Sequence, residues 1–64
     1  MSLEVEIADA VGGQLTDLNP FRTATGATVT PDADALVDKH GQVIVPVVVD
    51  GVEYEVVIVA RRVI

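Results

Sequence analysis

Apolar and polar residues alternate over residues 2–8, with Leu3, Val5 and Ile7 on one side and Glu4 and Glu6 on the other. That is the period of a half-buried strand. Gly12-Gly13 breaks it and predicts a hairpin turn or the start of a loop. Residues 14–27 hold no sustained period. Asn19-Pro20 marks a turn and residues 23–28 are small and polar, so a long surface excursion is expected here, with a helical turn near residues 15–18. A loop of that length is unusual in a small domain and would serve as a binding loop or as an arm gripping a neighbour. Residues 28–30 read as a short strand.

Residues 31–40 then read as a helix. Thr30 stands at the N-cap and Pro31 at the first helical position. Asp32 and Asp34 fall in the first turn, Lys39 and His40 in the last, and Gly41 just beyond, an order that suits the helix dipole. Ala33, Leu36 and Val37 supply its apolar stripe. The last third carries the clearest pattern. Two valine-rich runs, residues 42–49 and 52–64, flank Asp50-Gly51, a dipeptide typical of two-residue hairpin turns. The turn sets the register: Val49 faces Val52, Val47 faces Tyr54, Val45 faces Val56 and Val43 faces Ile58. These pairs form one wholly apolar face. The other face pairs Val48 with Glu53 and Pro46 with Glu55 near the tip, but Ile44 with Val57 and Gln42 with Val59 at the base, where Val63 follows. The base of the hairpin is therefore apolar on both sides. By the same parity the Pro46 position points its amide away from residues 52–64, so the strand should be a sheet edge or interrupted at that point.

Composition supports strands: fourteen valines and four isoleucines stand against four leucines, and branching at Cβ suits a pleated surface. Sixty-four residues make one domain, of a size that usually needs a disulfide, a metal or a partner chain. There is no cysteine and a single histidine, which leaves self-association as the available support. A net charge of −6 repels phosphate backbones and anionic lipids, so nucleic acid is disfavoured as a partner. No apolar run approaches the ~20 residues of a membrane span, and no signal-peptide pattern opens the chain; a cytoplasmic location is expected, with no membrane.

Candidate chemistry is sparse. Asp32, Asp34 and Asp38 have the spacing that opens a calcium loop, but Val37 occupies the position where that loop needs glycine. His40 has no evident nucleophile to serve, Ser2 being the one serine. Glu53 and Glu55 share a strand face beside solvent. Arg61 and Arg62 suit phosphate contacts or, better given the acidic chain, ion pairs with Glu4 and Glu6 on a neighbouring strand, and Phe21 anchors its loop. Catalytic, cofactor-binding and metal residues are accordingly none. One stretch, Asp38-Lys39-His40-Gly41-Gln42-Val43-Ile44-Val45-Pro46, resembles the GQVxxP strand of AbrB/MazE-type swapped-hairpin regulators. The resemblance covers nine residues and implies an intertwined dimer that binds DNA. That family follows the proline with basic residues and a short helix, whereas Pro46 here leads into Val47-Val48-Val49.

The fold class expected is α+β: a small, mainly antiparallel sheet, one short helix at about 31–40 and a C-terminal hairpin turning at Asp50-Gly51. The function expected is that of a non-enzymatic structural or protein-interaction module, acting as a homo-oligomer or within a larger assembly such as a virion. Its expected interface is Ile44, Val57, Val59 and Val63, and its partners are further copies or another protein. Two other readings stand beside it: the AbrB/MazE-like regulator, and a small-ligand module using the 14–27 loop at a subunit interface.

Overall fold

The computed structural model describes residues 2–17 and 20–64. One helix, α1 (Leu3–Thr16), is followed by β1 (Phe21–Arg22), β2 (Thr28–Pro31), β3 (Leu36–Val37), β4 (Val43–Val49) and β5 (Val52–Ile58). Every strand pairing is antiparallel. The class is small α+β as the sequence implies, but its helix stands at the other end of the chain.

The C-terminal hairpin has the register read from its turn. Val49 pairs with Val52, Val47 with Tyr54, Val45 with Val56 and Val43 with Ile58. Asp50 (φ 52°) and Gly51 (φ 78°) both take positive φ, the requirement of a tight type I′ turn. The strand expected to run to Ile64 stops at Ile58, because β4 begins at Val43 and offers nothing to pair beyond it.

The outer flank of β4 carries β2 and β3 in succession. Thr30 and Pro31 pair with Val48 and Val47, while Leu36 and Val37 pair with Ile44 and Val43. The ladder is broken between them, opposite Val45 and Pro46. Proline has no amide to give on that side, and the bond found there among the described residues runs from the Asp32 amide to the Pro46 carbonyl at 2.9 Å. The interruption expected at Pro46 is present.

The helix expected over 31–40 is absent; those residues form the end of β2, β3 and a turn. Its capping signals are local, and the unpaired backbone of a seven-residue apolar strand beside it is a stronger demand. Asp38 ends β3 instead of joining a helix. Its Oδ1 accepts from the amides of His40 (2.8 Å) and Gln42 (2.9 Å). Gly41 at φ 78° completes the turn into β4.

Residues 2–8 are likewise helical and not a strand. Ser2 caps α1, its Oγ accepting from the Val5 amide at 3.2 Å, and Glu4 and Glu6 lie in the positively polarised first turn. Gly12-Gly13 does not break the helix. A Cβ on Gly12 would stand 3.0 Å from Val43 Cγ1 and 3.1 Å from Ala35 Cβ, so glycine lets α1 lie directly on β4. The 14–27 excursion is also corrected: it comprises the last turn of α1, β1 and a turn in which the Thr23 amide donates to the Ala27 carbonyl at 2.9 Å. The Asn19-Pro20 turn and the end of the 15–18 helical turn lie outside the described residues, since Leu18 and Asn19 are not among them.

Ala8 and Gly12 of α1 cover the base of the sheet, where Val43 and Val45 are fully buried. Val29 and Val47 continue this core, flanked by Leu15, Phe21 and Val56. All of it lies on one face of the sheet.

Candidate interaction surface

Three surfaces are left open, each by a definite feature of the chain. The first is the face of the sheet away from α1. Paired residues share a face, so Leu36, Ile44 and Val57 form one row across β3, β4 and β5. Leu36 is 61% exposed and Val57 49%. Toward the hairpin tip this face turns polar, with Glu53 and Glu55 beside Val48 and Pro46.

The second is the outer edge of β5. The order across the sheet is β1, β2, β4, with β3 also beside β4, and among the described residues β5 has β4 as its one neighbour. In a two-residue hairpin closed by Val49 and Val52, hydrogen-bonded pairs fall at Tyr54, Val56 and Ile58. The amides and carbonyls of Glu53, Glu55 and Val57 therefore point outward. An unpaired, valine-rich edge is a template for another strand.

The third lies at the tip on the α1 side, where the helix has ended. Leu15, Phe21, Val29, Val47, Val49, Tyr54 and Val56 line a hollow of about 460 Å³. Among the described residues its lining is aliphatic side chains with the rings of Phe21 and Tyr54, a chemistry that suits an apolar side chain.

Of the residues expected at an interface, the structure brings Ile44 and Val57 together as a cross-strand pair. Val59 follows the last paired residue and is 63% exposed. Val63 lies apart from them, in the irregular segment after β5. Leu36 joins the row and was missed because it was assigned to a helix. Leu3, Ile7 and Val11, exposed along one side of α1, were missed because alternation hid their spacing of four. The polar candidates stay dispersed. His40 and Asp38 belong to the β3–β4 turn, and Asp32 and Asp34 to the segment opposite Pro46. Among the described residues no three histidine, cysteine, aspartate or glutamate side chains are placed to share a metal ion. Arg61 and Arg62 share a hollow with Glu4, as well as Leu3, Ile7 and Ala60.

No helix among the described residues is long and apolar enough to cross a membrane. Compared with known protein families, curated protein sequences and solved structures, the chain matches none of them.

Proposed function

We propose that this chain is a non-enzymatic structural or protein-interaction module that acts by self-association, either as a homo-oligomer or as a repeated component of a larger assembly. The observation that carries this reading is the uncovered Leu36–Ile44–Val57 row, lying on strands whose opposite face already has its helix. Fully burying a valine, leucine or isoleucine is worth about 1.5–3 kcal/mol. A partner that covered the half-exposed row would thus contribute several kcal/mol, against a total stability of about 5–15 kcal/mol for an ordinary domain.

Light scattering across the micromolar range tests the reading. Self-association with a concentration-dependent mass supports it. Val57→Asp should dissociate the assembly while far-UV circular dichroism keeps its helix and sheet content, because Val57 lies outside the core.

A further inference from the structure

Resting on the self-association reading, we infer that two copies join by antiparallel pairing of their β5 edges about a twofold axis at Val57, merging two sheets into one. Three independent features of the chain converge on this arrangement.

The first is backbone parity. Glu53, Glu55 and Val57 direct their amides and carbonyls away from β4, and no strand among the described residues takes them up. An identical edge run antiparallel satisfies both ladders at once, which is the self-complementarity a twofold contact demands.

The second is charge, which selects the register. Centring the pair on Glu55 would set that carboxylate against itself across the axis, and centring it on Tyr54 would set Glu53 against the second copy's Glu55. Like charges directly opposite are unfavourable. Axes at Val56, Val57 and Ile58 all relieve both. The axis at Val56 sets no glutamate against an arginine, and the axis at Ile58 reaches Arg61 with a shorter ladder, so charge and ladder length together favour Val57. Val57 then faces itself, Glu55 faces the second copy's Val59, and Glu53 faces its Arg61. On the α1 side the same register sets Val56 against Ile58 of the second copy, joining the apolar stripes of the two hairpins. Residues 59–61, which have no partner beyond the end of β4, become the continuation of β5.

The third is the helix. Leu3, Ile7 and Val11 form an exposed stripe at successive i, i+4 positions. Leu3 and Ile7 border the same hollow as Ala60, Arg61 and Arg62, so the N-terminal part of the stripe faces the segment that continues from β5. Since α1 packs over β4 and β5, a twofold axis just beyond β5 brings two such stripes toward each other. At ~4.8 Å per strand the helix axes stand roughly 10–14 Å apart, a gap that leucine and isoleucine side chains span, compared with about 8–10 Å for closely packed helices. One partner thus covers the edge and the stripe together.

Val57→Pro tests the ladder. Residue 57 points its amide outward, so proline there removes a bond to the second copy and none to β4, just as Pro46 is accommodated on the opposite flank. The expected result is a wild-type dimer and a folded Val57→Pro monomer by sedimentation and circular dichroism. Glu53→Arg and Arg61→Glu test the register and decide the matter should the proline variant not fold. Each alone should raise the dimer dissociation constant about tenfold, the twofold axis counting the pair twice. The double reversal should restore it. A wild-type oligomer that persists in Val57→Pro, or whose charge reversals show no mutual rescue, would overturn the β5 pairing and leave self-association standing through another surface. A wild-type chain that remains a monomer throughout the micromolar range would overturn the reading beneath it.

Discussion

β4 and β5 are seven residues each, joined by one tight turn and both rich in valine, yet they end in opposite circumstances. β4 has strands on both flanks and α1 across one face, and its inward residues Val43, Val45 and Val47 are buried. β5 has one flank paired and is mostly exposed, with Val52, Tyr54 and Val57 all open to solvent. Apolar character alone does not decide burial; neighbours do. β4 is surrounded because the chain on either side of it returns to pair with it. β5 is followed by residues 59–64, which form no element of their own. Its two glutamates stand on the open face near the tip, where they exclude some pairings of this edge and permit others.

The contrast is broken most sharply by a charge on each strand. Val45→Asp would bury an unpaired carboxylate in the core at a cost of several kcal/mol, enough to abolish a cooperative thermal transition. Val57→Asp should leave that transition in place and act on the assembled mass. Truncation gives a smaller version of the same difference. Val45→Ala should cost about 2–3 kcal/mol by urea titration, from lost burial plus the cavity left behind. Val57→Ala should cost under about 1 kcal/mol when measured below the association range.

The two glycines of α1 sharpen the account at the smallest scale. Gly12→Ala gains about 1 kcal/mol of helix propensity but drives its methyl against Val43 and Ala35, an overpacking cost of about 1–3 kcal/mol. It should be neutral to destabilising by up to about 2 kcal/mol. Gly13→Ala meets nothing within 4 Å and should stabilise by about 0.5–1 kcal/mol. Chemical denaturation of the pair, one residue apart, reads out how closely the helix lies on β4.

The hairpin was legible because a two-residue turn and a period of two specify each other, and Pro46 could then be placed by parity alone. The helix was not. Six residues of alternation from Leu3 fit a strand, and the stripe that contradicts them, Val5, Ala8, Gly12 and Leu15, is disguised by glycine at its centre. Ser2 with Glu4 and Glu6 carried the capping signal that could have revealed it. Over 31–40 the error ran the other way: Thr30, Pro31 and the aspartates make a good local helix start, but β4 requires a partner along its outer edge. Half of the expected interface, Ile44 and Val57, followed from the hairpin register. The β5 edge and the α1 stripe depend on which elements flank which, and that becomes visible once the chain has been folded.

Sedimentation equilibrium of the wild-type chain over the micromolar range tests the central claim most directly. The average mass should climb with concentration toward at least twice 6.7 kDa. A constant mass of 6.7 kDa, from a chain that unfolds cooperatively, would contradict it.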